Sequence, residues 1–129
     1  MTAKSNDSTE RRRFQRISLH KPLRMEADGK IWETALLDIS IQGILLEKPS
    51  GYLCEKGRTV QITIPLGETE KIEMDAHTVH CEDDKVGCAW DQIDVDSLDH
   101  LRRMLELNLG DASLVQRELQ ELFNRHKNR

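Results

Sequence analysis

Four arginines fall within six residues, Arg11, Arg12, Arg13 and Arg16, and further along the chain residues 38–43 read Asp-Ile-Ser-Ile-Gln-Gly. An arginine guanidinium is always charged and offers a planar fork of donors that fits two phosphate oxygens or the O6 and N7 edge of guanine. Lysine would supply the charge without the fork, and the run contains none. Two residues apart on a strand, Asp38 and Ser40 face the same side and offer a carboxylate acceptor and a hydroxyl to one object. Gly43 lets the backbone turn or approach that object closely. Together the two segments predict a site for a phosphate-bearing ligand. The competing readings are a solvated basic arm or a weak RNA contact for the arginines, and a purely local Asx- or Ser-type turn for residues 38–43.

Other reactive residues carry less. His77, His80, Cys81 and Cys88 could suggest a metal, but strand alternation puts His77 and Cys81 on one face and His80 on the other, so no metal site is expected. Cys54, Cys81 and Cys88 are odd in number and lack C-x-x-C spacing, which points to buried, reduced thiols rather than a disulfide framework. Glu82, Asp83 and Asp84 lack the spacing and glycine of a calcium loop. The sequence contains no G-x-S-x-G, H-E-x-x-H or P-loop, so a non-enzyme is expected.

The elements that must position these residues are short. Apolar alternation predicts strands over residues 17–26, 30–39, 43–47, 59–65, 71–81 and 86–93, with Asp28-Gly29 as a tight hairpin turn. Six such strands at close spacing predict a mainly β fold, an antiparallel barrel. Trp32 and Trp90 fall among apolar residues and are expected first to pack in the core or at a barrel end, the alternative being that either lines the ligand edge. Asp94, Asp96 and Ser97 are N-cap candidates for a helix carrying Leu98, Leu101, Met104, Leu105 and Leu109, with Gly110 as its stop. Asp111 can cap a second helix with Leu114, Val115, Glu118, Leu119, Leu122 and Phe123 at helical spacing, packed on the barrel or on a partner. Residues 1–10 are apolar-poor and are expected to be a disordered tail.

At 129 residues, with no repeat and no membrane-length apolar run, the chain is expected to be one domain without a membrane span, and its polar start predicts a cytoplasmic protein. A formal net charge of −4 disfavours a general nucleic-acid surface, since the positive charge is concentrated in the arginine run.

The spacing Arg12-x-x-x-Arg16 followed by Asp38-x-Ser40-x-x-Gly43 resembles the PilZ domain, a bacterial receptor module for the second messenger cyclic di-GMP. The resemblance covers about residues 11–94 and is carried mainly by the second motif, basic pairs alone being common by chance. It implies a six-stranded antiparallel β-barrel with a flexible N-terminal arginine arm, a tail over residues 1–10, and one or two C-terminal helices over residues 95–129. It further implies that Arg12 and Arg16, with Arg11 and Arg13 as additional contacts, wrap over one cyclic di-GMP or two stacked molecules, and that Asp38, Ser40 and Gly43 form the guanine-recognition segment. His80 lies on a strand that in relatives often supplies an aromatic residue stacking on guanine; a plain surface histidine is the alternative. The expected protein is a cyclic di-GMP receptor without a cofactor that signals to an unidentified downstream protein, monomeric or dimeric. In that reading the free arm is mobile and nothing buries Phe14. The alternative is a PilZ-like adaptor that binds no nucleotide.

Overall fold

The computed structural model describes residues 14–127, so the expectations for Arg11, Arg12, Arg13 and the tail lie outside the described residues. Six strands follow in chain order: β1 (Arg16–Ala27), β2 (Lys30–Ser40), β3 (Gly43–Glu47), β4 (Thr59–Pro65), β5 (Lys71–Cys81) and β6 (Lys85–Ile93). They close into an antiparallel barrel in the order β1-β2-β3-β6-β5-β4, with β4 returning to β1. Alternation explains the closure. Along β4, Val60, Ile62 and Ile64 point inward while the residues between them face out, and Leu23, Met25, Leu36, Ile72 and Leu46 fill the same interior. The β1–β2 hairpin turns at Asp28 and Gly29, whose φ angles of 55° and 76° are the paired positive values of a type I′ turn.

Two helices cover one side of the barrel. Asp94 caps α1 (Val95–Leu109) by accepting from the Ser97 N–H at 3.0 Å, and Gly110 ends it in the left-handed conformation. The Ser97 hydroxyl also accepts from the Glu73 N–H at 2.9 Å, which ties the start of α1 to β5. Asp111 caps α2 (Ala112–Lys127) by accepting from the Leu114 N–H at 3.0 Å. Leu101 and Leu105 of α1 and Val115, Leu119 and Leu122 of α2 join the barrel's apolar cluster, so the second helix packs on its own chain.

Two expectations are corrected. Cys54 and Cys81 form a disulfide, so they are not reduced buried thiols. Only Cys88 is a free cysteine among the described residues; burial pushes its thiol up to about 12, which keeps it protonated. Phe14 is also buried without any ligand, at 7% exposure, because α2 covers it: the Arg125 guanidinium lies 4.9 Å from the ring centroid. Beside it the Gln15 N–H donates to Glu118 Oε2 at 3.0 Å. Among the described residues no helix is long and apolar enough to cross a membrane.

Burial raises the Glu118 carboxyl above its ordinary value, an effect that the Gln15 hydrogen bond opposes. A raised carboxyl favours the fold fully below its unfolded pKa and loses that contribution as pH climbs through the folded value. Glu118→Gln keeps an acceptor for Gln15 and removes the charge. The variant should therefore be at least as stable as the parent at pH 7, with the gap closing below about pH 4. Urea unfolding at the two pH values checks this, and an equal deficit of the variant at both would mean that burial does not set the carboxyl's energy.

Candidate functional site

The β1–β2 pairing is what brings the two sequence motifs together. Arg16 stands opposite Ser40 and Ser18 opposite Asp38, so the first residue of β1 lies beside the last turn of β2. Arg16 Nε is 3.9 Å from Asp38 Oδ1, an ion-pair separation too long for a hydrogen bond. The arginine side chain is 61% exposed and the aspartate 19%, so the cation stands in solvent beside a half-buried acceptor.

Residues 40–43 are pinned from three directions. The Ser40 hydroxyl oxygen accepts from the N–H groups of Gln42 and Gly43 at 3.2 and 3.3 Å, and its proton lies toward the Gly43 carbonyl at 3.5 Å. Ser40 is buried, and this hydroxyl builds the turn. Trp90 of β6 donates its indole N–H to the Ile41 carbonyl at 2.7 Å and its backbone N–H to the Gln42 carbonyl at 3.1 Å. A Cβ on Gly43 would sit 2.0 Å from the Cys88 carbonyl oxygen and 3.0 Å from Ala89 Cα. The glycine is thus required by a neighbouring strand of the protein, and its φ is not among the positive ones.

His80 reaches the same place from β5. Strict alternation would put Val79 and His80 on opposite faces, but the β5–β6 register shifts between Thr78 and His80, and both residues are exposed. His80 lies over Gly87, where a Cβ would meet the histidine Cβ at 3.0 Å. Its Nε2 is hydrogen-bonded to Glu82 Oε2, and that bond, with the imidazole charge as a smaller cause, holds the Glu82 carboxyl below its ordinary value.

These residues border one depression of about 670 Å³. Arg16, Asp38, Ser40, Gly43 and His80, the predicted site residues that lie within the described stretch of the chain, all line it, with Phe14, Gln42, Glu82 and Gly87. A second depression of about 810 Å³, near the start of α1, is edged by Glu73, Asp75, Asp91 and Asp94. Those carboxylates disfavour phosphate there. Trp90 borders that second depression and Trp32 packs edge-on to Tyr52 with centroids 5.2 Å apart, so neither tryptophan lines the first. Among the described residues no three His, Cys, Asp or Glu side chains are grouped as a metal would need.

The sequence model of the PilZ domain matches residues 10–107, a span that includes the whole barrel and most of α1. The chain belongs to the PilZ domain family. Solved structures agree in fold. The PilZ domain of YcgR from Escherichia coli, solved with c-di-GMP, aligns over 88% of this chain and 98% of its own with a TM-score of 0.58 and 18% identity. The K. pneumonia MrkH–c-di-GMP complex aligns over 76% of this chain and 52% of MrkH with a TM-score of 0.63 and 17% identity. The Bacillus subtilis inhibitor of motility MotI/DgrA aligns over 73% and 51%, with a TM-score of 0.62 and 19% identity. The matched region of this PilZ chain therefore spans about half the length of MotI and MrkH.

Sequence reasoning placed Trp90 in the packing and missed its two bonds to the turn, the indole one joining residues 49 positions apart with no local signal. It also missed Gly87 as the seat of His80. The close approach at Gly43 is testable. Gly43→Ala must push the backbones of β3 and β6 away from each other, and should cost about 2–3 kcal/mol in chemical unfolding. Gly67→Ala, whose Cβ would meet only a Glu70 carboxylate oxygen at 3.9 Å, should stay within about 0.5 kcal/mol of the parent. Equal costs for the two would show that strand approach does not explain Gly43.

Proposed function

We propose that this PilZ protein is a receptor for cyclic di-GMP that binds the messenger in the depression between Arg16, Asp38 and His80 and does no chemistry on it. The observation that carries this reading is the juxtaposition of Arg16 with the pinned Asp38–Gly43 segment, on a fold shared with domains solved in complex with that nucleotide. Arg16 supplies a fork for a phosphate or a guanine edge. Asp38 accepts from guanine N1 and N2 protons. Ser40 and Gly43 hold the segment's shape, and the Ser40 oxygen, already taken by two N–H groups, contributes chiefly through that shape. The imidazole face of His80 stacks on a base while Glu82 fixes its edge.

Arg11, Arg12 and Arg13 complete the site by closing over one ligand molecule or two stacked ones. Because Phe14 and Gln15 are already held by α2, the change on binding is confined to the residues before them. Ligand phosphates neutralise the arginines, the arm settles on the barrel, and the new surface is what a downstream protein in the cytoplasm reads.

Two measurements test this. In titration calorimetry Arg16→Ala should weaken cyclic di-GMP binding by about 1.5–3 kcal/mol, and Arg16→Lys should lose much of the same amount because charge survives without the fork. A lysine variant that binds like the parent would remove the bidentate contact. The second concerns the base. Adenine offers Asp38 no counterpart to the N1 and N2 protons, so cyclic di-AMP should bind at least about tenfold more weakly. Equal affinities would leave Asp38 without its role, and no binding of either nucleotide would favour the adaptor reading.

A further inference from the structure

Cys81 lies between His80 and Glu82 in sequence, and those two side chains bond to one another and both border the depression. Through the disulfide the same residue is joined to Cys54, in the loop of residues 48–58 between β3 and β4. The loop is held to the hairpin at both its ends. The Gly57 N–H donates to the Thr78 carbonyl at 2.7 Å and the Thr78 N–H to the Arg58 carbonyl at 2.9 Å, next to the register shift that exposes His80. At the other end the Lys48 N–H donates to the Asp84 carbonyl at 2.9 Å. Between these attachments the disulfide links the loop covalently to the end of β5, where His80 and Cys81 also pair with Gly87 and Val86 of β6. Both cysteines are partly buried, Cys54 packing against the core cluster, whereas Cys88 is fully buried.

We propose that Cys54 and Cys81 form a redox modification site that sets the affinity of the adjacent ligand depression, with the disulfide as the tighter-binding form. This rests on the receptor reading above. Oxidised, the link holds the end of β5 and with it His80 and Glu82 in the arrangement that borders the depression, so less ordering remains to be done on binding. Reduced, the hairpin end from residue 79 to residue 85 keeps its hydrogen bonds but gains freedom. The chemistry is thiol–disulfide exchange with a small thiol such as glutathione. A thiolate attacks one sulfur, the Cys54–Cys81 bond breaks and the released cysteine thiolate takes up a proton. A second glutathione then displaces the other cysteine as a thiol, leaving glutathione disulfide and two reduced cysteines. In a reducing compartment a disulfide is ordinarily transient, which suits a sensor better than a permanent brace.

Linkage makes the proposal strict. If the disulfide raises ligand affinity by some factor, bound ligand must shift the thiol–disulfide equilibrium toward the disulfide by the same factor. Titration calorimetry with cyclic di-GMP should show the dithiothreitol-reduced protein binding roughly fivefold more weakly than the oxidised one. The double variant Cys54→Ser, Cys81→Ser should match the reduced parent and ignore reductant. In glutathione buffers, saturating cyclic di-GMP should shift the parent's oxidised-to-reduced ratio by that same factor. Equal affinities in the two redox states would overturn the proposal. Should cyclic di-GMP bind neither state, the receptor reading fails instead, and the coupling is judged by amide exchange over residues 79–85. Faster exchange on reduction keeps the link between disulfide and hairpin, and unchanged exchange overturns it.

Discussion

The approach of β3 to β6 at Gly43 is the constraint on which the rest of the structure depends. A backbone carbonyl occupies the space a side chain would need there, so two strands far apart in sequence can pair from their first residue. That pairing lets Trp90 reach over and hold the Ile41 and Gln42 carbonyls. The Trp90 side chain is itself nearly buried, which protects its bond to Ile41 from competing water. With the turn so held, β2 ends in a defined place, Asp38 is fixed one step upstream, and Arg16 is set beside it by the register of β1. The barrel closure and the site's geometry are therefore one arrangement.

The C-terminal helices extend that arrangement to the start of the described chain. α2 contributes three apolar side chains to the core and one carboxylate and one guanidinium to the segment just before β1. The carboxylate of Glu118 takes the Gln15 N–H, a donor that precedes the first strand and so has no place in the sheet ladder. Arg125 covers Phe14 with a guanidinium that also lies 3.6 Å from Glu121 Oε2. The chain consequently enters β1 in a fixed direction, from an anchored Phe14 at the rim of the depression.

What could be read from the sequence was what depends on neighbours along the chain. The alternation in Thr59–Pro65, the Asp28-Gly29 turn and the caps at Asp94, Gly110 and Asp111 are local rules, and the structure follows them. Gly43 was legible as a special position but for an incomplete reason: one letter cannot say whether ligand or strand occupies the missing side chain's space. The bulge near Val79 and His80 was invisible because period-2 reasoning assumes an unbroken register. The disulfide was missed because counting three cysteines assumes that oxidation acts on all or none, whereas pairing depends on which two the fold brings together, here across 27 positions.

Charge decides how much of the proposed binding can come from the barrel alone. Within the depression Arg16 and His80 face the carboxylates of Asp38 and Glu82, so the described residues offer little net positive charge to a ligand carrying two phosphates. Exposed ion pairs of this kind contribute little to stability. Their effect is positional: Asp38 stands 3.9 Å from Arg16, and Glu82 is hydrogen-bonded to the imidazole edge of His80. A bis-phosphate ligand would then have to draw its neutralising charge from Arg11, Arg12 and Arg13. Base recognition and phosphate recognition would be divided between the rigid barrel and the segment before Phe14, with affinity responding to ionic strength through the second and nucleobase selectivity set by the first.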